Sequence, residues 1–306
     1  MEEIGVETEK SYAPHVALVM VQVLFGSSVI LGKFALAAFP PFSIVGFRVA
    51  GAAGAFCILQ KMRGTMRLER RSHYLHFFIF ALLGVVCNQL LFFTGLSLTT
   101  ATNTSLLAVM IAIFAILVSV IIGNDKLTRL KVIGTMTAAG GVIYLIDPAN
   151  ASFSSATTQG DLMIVLNSMF YATYVATSKR LVTHYGAMKS IAWVFLFGSI
   201  INVPLGIFAL SSVDVAAIGW HSWFWLGTVV LFPTILAYYW NTWALARVEP
   251  SVVAVYTYLQ PLIGTILAVA VLGEAWKPRI FLAMALIFTG VFMVTRRRKR
   301  EIISKI

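Results

Sequence analysis

Apolar residues in this chain fall into long runs separated by short polar breaks. Ten runs stand out, at about 15–37, 41–60, 73–94, 100–122, 130–147, 161–179, 190–210, 222–245, 250–272 and 279–295. A helix of about 20 apolar residues crosses about 30 Å of hydrocarbon. The runs are apolar almost all round and show no two-residue alternation, which predicts helices and not a β-barrel. One connection is clearly polar, DPANASFSSATTQG from Asp147 to Gly160, and it leaves five runs on either side. The expectation is an all-α integral membrane protein with ten transmembrane helices in two five-helix units. Residues 1–14 form a tail, 15–147 the first unit, 148–160 an external linker, 161–295 the second unit and 296–306 a basic tail.

Composition agrees with this picture. Of 306 residues, 59% are hydrophobic and 11% charged, with mean hydropathy +0.88. An ordinary soluble chain carries about a quarter charged residues. The surplus of apolar surface excludes a soluble enzyme, a disordered chain and a nucleic-acid-binding protein. Two Cys without a Cys/His cluster exclude a disulfide scaffold or zinc module, and no metal or cofactor is expected. The first ten residues hold four Glu and one Lys, so the N-terminus is not expected to be a cleavable signal, and no soluble module is expected at either end.

The net charge of +11 has a topological explanation. With a cytoplasmic N-terminus and ten crossings, 19 Lys and Arg fall on the inside and two, Lys277 and Arg279, on the outside. Lys33 and Arg48 lie within runs. This asymmetry follows the positive-inside rule and places both termini in the cytoplasm of a multi-pass protein of the cell (inner or plasma) membrane. The run RRRKR after Thr295 reads as a topological anchor, with a lipid-binding patch as the alternative.

The two halves repeat. A shift of 150 residues lays Gly123 on Gly273, Gly140 on Gly290, and 96–123 on 246–273 without a gap; a shift of 146 lays Lys33 on Lys179. Five spans per repeat is odd, so the second repeat enters from the opposite face. Inverted repeats are an architecture of secondary transporters, with substrate held near the midplane between the halves.

Several stretches are familiar. They are FGSSVILGKFAL (Phe25 to Leu36), Pro40-Pro41 followed by Arg48, and NQLLFFTGLSLTTATNTSLL (Asn88 to Leu107) in the first half. The second half has GDLMIVLNSMFYATYVATSKRL (Gly160 to Leu181), WALARVEPSVVAVYTYLQPLIGTILAVAVLGE (Trp243 to Glu274) and FTGVFMV (Phe288 to Val294). The chain resembles the EamA family of the drug/metabolite transporter superfamily over about 15–295. Its most specific pieces are Gly95-Leu96 through Ala101, and Pro261-Leu262 through Leu272-Gly273-Glu274. The NQLLFFTGL stretch is also similar to plant relatives of the walls-are-thin type. The resemblance implies ten helices, cytoplasmic termini, export of small metabolites such as amino acids, and a path enclosed by spans 1, 3, 4, 6, 8 and 9. The first half has Ile111 where the second has Pro261, and Asn124 where it has Glu274, so a kink is expected in the second half alone.

Polar residues within spans mark the candidate path, because they are costly against lipid. Arg48 lies about two turns into span 2, with no acid expected in any span to pair with it. It reads either as a ligand for a substrate carboxylate or as a structural group that bonds helix-end carbonyls or snorkels. Lys33 reads as a snorkelling residue. Gln22, Gly26, Val29 and Lys33 share a helical face, as do Asn167, Tyr171, Tyr174 and Ser178. Tyr238 pairs with Asn241 and Tyr256 with Gln260, while Asn88 and Asn103 are expected to flank the short outer loop between spans 3 and 4. The candidate path residues are therefore Gln22, Arg48, Asn88, Asn103, Tyr171, Tyr174, Tyr238, Asn241, Tyr256 and Gln260. For each, an interhelical hydrogen bond is the alternative. The aromatics from Trp220 to Trp243 suit interfacial belts, and Ala50-Gly51-Ala52-Ala53-Gly54 suits close helix packing.

No catalytic dyad is spaced within the spans, so an enzyme is not expected. The leading expectation is a transporter that exports an amino acid or related amphipathic compound by alternating access. A multidrug or nucleobase exporter of the same fold, and a channel or receptor, are the alternatives. The partners expected are a small-molecule substrate and the lipid bilayer. With no titratable acid in a span, transport is expected to be facilitated or weakly coupled to protons.

Overall fold

The computed structural model describes residues 12–123, 128–146, 155–248, 250–257, 259–275 and 278–295. The acidic N-terminal residues, Asn124, the linker through Ser154 with its Asn150 sequon, and the basic tail lie outside them. Every element among the described residues is helical. The helices are α1 (Ala13–Leu36), α2 (Pro41–Arg63), α3 (Arg71–Leu98), α4 (Ala101–Ile121) and α5 (Arg129–Ile146) in the first half. The second half has α6 (Ala156–Tyr185), α7 (Ala187–Leu210), α8 (Trp220–Leu245), α9 (Pro250–Tyr256), α10 (Leu259–Leu272) and α11 (Pro278–Thr295).

Six of these, α1 to α4, α7 and α8, are long and apolar enough to cross a membrane. Helix α6 has 30 residues but is not among them. Its Asn167, Ser168, Tyr171, Tyr174 and Ser178 are buried against neighbouring helices, where polarity can be answered by protein. Local chemistry sets the ends. Pro41 opens α2, where a missing N–H costs nothing. Gly123 (φ 78°) and Gly273 (φ 65°) close α4 and α10 in the left-handed region.

The packing is a two-fold exchange of halves. α2 lies on α7 and α5 on α11. α1 packs on α8 and α10, and α6 packs on α3 and α4. Mapping α1 onto α6, α3 onto α8 and α4 onto α9–α10 turns each contact into its twin. Thr99 shows the relative direction. Its carbonyl accepts from Lys33 Nζ near the end of α1 (2.6 Å), and its hydroxyl donates to Asp161 Oδ1 near the start of α6 (2.6 Å). One helix ends where its counterpart begins.

Irregularities repeat as well. A π-helical turn interrupts α3 at Leu82–Cys87 and α8 at Leu231–Leu236, 149 residues apart. α4 tightens after Leu107, with Ile111 N–H bonding the Ala108 carbonyl, and Gln260 N–H bonds the Thr257 carbonyl the same way in the second half. The expected asymmetry of kinks is thus corrected: α4 tightens without a proline. Lys33 also departs from its expected role. Its amine caps the carbonyl end of α3, as Lys179 Nζ caps that of α8 through the Leu245 and Val248 carbonyls (both 2.7 Å).

Helices α2 and α7 approach most closely at two glycines. A Cβ on Gly46 would stand 2.9 Å from the Gly206 Cα, and one on Gly206 would stand 2.7 Å from the Gly46 Cα. Ser43 Oγ donates to the Gly206 carbonyl across the same contact (3.1 Å). In the Ala50–Gly54 run, Gly51 admits Val230, whereas Gly54 has open space around it. Gly206→Leu is therefore expected to destabilise the bundle by about 1–3 kcal/mol, and Gly54→Leu by less than about 0.5 kcal/mol. Thermal unfolding of both variants in detergent checks this.

Candidate functional site

The π-helical turns aim side chains at the centre of the bundle. An extra residue in a turn shifts the phase of everything after it. Asn88 and Gln89 follow the turn in α3, and Tyr238 follows the turn in α8. In α8 the turn contains Pro233, whose missing N–H leaves the Val229 carbonyl without its helical donor. Thr234 fills the gap: its hydroxyl donates to the Val229 carbonyl (2.7 Å). The same oxygen then accepts from Arg48 Nε (2.6 Å). The hydroxyl that covers the carbonyl beside Pro233 is thus also the acceptor that holds the buried cation.

A cavity of about 60 Å³ opens here between the repeats, room for a few water molecules. Its wall combines Phe25, Ser28 and Gly26 of α1, Arg48 of α2, Asn88, Gln89 and Phe92 of α3, and Thr104 and Ser105 of α4. From the second half come Asn167 and Tyr171 of α6, Tyr238 of α8 and Gln260 of α10. Arg48 is 4% exposed, and its guanidinium carbon lies 4.6 Å from the centre of the Phe93 ring. It is the one charged residue in this wall, and no carboxylate answers it among the described residues. Burying a cation is costly unless an anion or dipoles compensate. Here one hydroxyl and an aromatic face do so, and the guanidinium borders the cavity.

Neutral hydrogen bonds tie the rest together. Tyr238 OH donates to Asn88 Oδ1 (3.0 Å) and Asn167 Nδ2 donates to the Asn88 carbonyl (2.6 Å). Asn241 Nδ2 donates to Tyr171 OH (2.8 Å). Gln260 Nε2 donates to Gln22 Oε1 (2.6 Å), where Gly26 lets α1 close on Ile263. Gln89 is buried in the wall, and both its polar side-chain atoms lack a hydrogen-bond partner.

Five of the ten candidate path residues line this cavity: Arg48, Asn88, Tyr171, Tyr238 and Gln260. Gln22 and Asn241 stand directly behind it. Tyr174 is buried one turn from Tyr171, its ring admitted by Gly84. Asn103 lies at the Thr99 end of the bundle, with Nδ2 on Asp161 (3.1–3.2 Å). Tyr256 OH meets His15 Nδ1 (2.8 Å) near the start of α1. Two expectations are corrected. Asn88 does not flank a loop, since α3 runs ten residues beyond it to Leu98. An acid does lie within a helix of the bundle: Asp161 is 1% exposed in α6, held by Thr99 and Asn103. Of the α8 aromatics, Trp220 is exposed, Trp223 packs on Phe39 and Phe47, and Tyr238 turns into the cavity wall. Sequence reasoning missed Gln89 and Thr234, whose phase depends on the π-helical turns.

Comparison with known proteins gives a consistent result. The EamA-like transporter family model matches residues 14–146 and again 158–296. An uncharacterized transporter of Archaeoglobus fulgidus is 26% identical over 93% of this chain and 98% of its own. The uncharacterized transporter YetK of Bacillus subtilis is 24% identical over 97% of this chain and 91% of its own. A WAT1-related protein of Arabidopsis thaliana is 23% identical over 94% and 86%. A protein crystal structure with a TM-score of 0.67 and 20% identity covers 92% of this chain and 96% of that one, which shows a shared fold.

The Thr234 relay makes a prediction. Thr234→Val strips both the Val229 carbonyl and Arg48 Nε of their partner, and is expected to cost about 1–3 kcal/mol of stability. Thr234→Ser keeps both bonds and is expected to melt within about 0.5 kcal/mol of the parent. Melting of both variants in detergent decides it.

Proposed function

Because the chain belongs to the EamA-like transporter family, we propose that it is a ten-helix carrier that exports an amino acid or related amphipathic carboxylate by alternating access. One observation carries the substrate class: Arg48 is buried between the repeats, at the edge of a cavity whose wall holds no acid. A carboxylate would supply the missing counter-charge, and a guanidinium can donate to it with two N–H groups at once. Phe25, Phe92, Tyr171 and Tyr238 would meet the apolar part of the same molecule.

The cavity holds a few waters, so loading a substrate requires the walls to part. Two repeats that pack as exchanged twins can part at either end in turn. The charge asymmetry supports cytoplasmic termini and a place in the cell membrane. Because neither carboxylate nor histidine lines the cavity, transport is proposed to follow the substrate gradient. Asp161 does not reopen proton coupling in this reading, since its carboxylate is engaged by Thr99 and Asn103 away from the cavity. The four aromatic rings of the wall favour one competitor, an exporter of nucleobases or flat amphipathic drugs.

The experiment is a proteoliposome uptake screen over labelled amino acids, nucleobases and amphipathic cations. Carboxylates are expected to move, and Arg48→Gln to slow them by about 10- to 100-fold, the equivalent of a lost charged hydrogen bond. Transport of carboxylates by Arg48→Gln at the parent rate would remove Arg48 from the site. Movement of nucleobases or drugs alone would establish the competitor. An imposed pH gradient is expected to leave the final internal substrate level unchanged, and proton-driven accumulation would overturn the uncoupled mechanism.

A further inference from the structure

A second cavity lies at the opposite end of the bundle from Thr99, where α2 and α8 end and α6 turns into α7. It is an open groove of about 560 Å³, lined by Arg63, Thr183, Lys189, Tyr239, Trp243 and Arg247 among others. We propose that it binds the phosphate headgroup of an anionic phospholipid. The site is separate from the central cavity and does not depend on what the carrier transports.

Three features of this pocket converge. First, three cations from three different helices reach it: Arg63 from the last turn of α2, Lys189 from the first turn of α7 and Arg247 just past α8. None forms an ion pair with a described residue. Lys189 lies over the Tyr185 ring (5.6 Å), and Arg247 lies over the Trp243 ring (4.0 Å) while bonding the Trp243 carbonyl. Those contacts orient the cations and leave their charge to be answered from outside. Second, residues 186–189 also line the pocket, and α7 begins there with no side-chain cap, so its free N–H groups add to the positive field.

The third feature selects a lipid over a soluble anion. Trp243 and Tyr239 lie one turn apart on α8, and Leu236 and Phe232 follow them toward the middle of the helix, in the π-helical turn. Phe232 is 40% exposed, and Leu236 and Tyr239 are half-buried. A headgroup in the pocket would therefore have an apolar track for its acyl chain running along α8 toward the middle of the bundle. Basic pockets joined to an interfacial aromatic shelf are suited to such lipids. An aqueous phosphate would have no use for the track.

The test uses the full chain in detergent, with native mass spectrometry counting retained lipid as dioleoyl phosphatidylglycerol or dioleoyl phosphatidylcholine is titrated. The parent is expected to retain phosphatidylglycerol at least tenfold more tightly. Combining Arg63→Gln, Lys189→Gln and Arg247→Gln is expected to abolish that preference. The combination Arg67→Gln, Arg70→Gln and Arg71→Gln removes the same charge from the nearby loop and is expected to stay within twofold of the parent. Thr183→Glu places a carboxylate at the exposed rim without touching the core, and is expected to weaken phosphatidylglycerol at least fivefold even where the triple variant fails to fold. Equal retention of the two lipids by the parent, equal loss in both triple variants, or release of the lipid by millimolar inorganic phosphate would each overturn the proposal.

Discussion

Inside hydrocarbon no water stands by to answer a polar group, and this constraint organises the whole bundle. Helix ends, prolines and inward polar side chains are therefore largely answered by other parts of the protein, with Gln89 among the exceptions. The chain from Pro233 to Arg48 shows the result most fully. A missing N–H frees a carbonyl, a hydroxyl takes it up, and that hydroxyl's oxygen becomes the acceptor for a buried guanidinium. The lysines near the ends of α1 and α6 follow the same logic, each spending its amine on the end carbonyls of a neighbouring helix.

The two halves meet these demands with the same geometry and different chemistry. Their π-helical turns match in place, yet one is built around Pro233 and the other around Gly84, which yields its space to the Tyr174 ring. The central cavity is consequently lopsided. Its cation comes from the first repeat and is fixed by the second. Of its two phenols, Tyr171 and Tyr238, both come from the second half, while the adjacent amides Asn88 and Gln89 come from the first.

Much of this was legible in the sequence. Apolar runs and the 150-residue shift describe gross properties that survive small local changes. Arg48 was legible because a lone cation in an apolar run is conspicuous whichever way it points. Gln89 and Thr234 were not, because a helical wheel assumes 3.6 residues per turn and a π-helical turn breaks that phase. Asn88 was misplaced for a related reason: apolar character fades after Phe93, whereas the helix continues to Leu98 on backbone hydrogen bonding. Asp161 sits at the edge of an apolar run, where an acid ordinarily belongs to a loop. Its burial depends on Thr99 and Asn103, which are distant in sequence.

Glu274 carries a consequence of its own. Its carboxylate receives the Ala101 and Thr102 N–H groups, so a side chain of the second repeat caps the first turn of α4 in the first. The 150-residue correspondence puts Asn124 at the matching place, a neutral amide without the attraction of an anion for a helix start. An inverted pair with identical halves would have two end states of equal energy. Among the described residues this charged latch joins the halves at the Glu274 end, so in the carrier proposed above the two end states would differ in free energy.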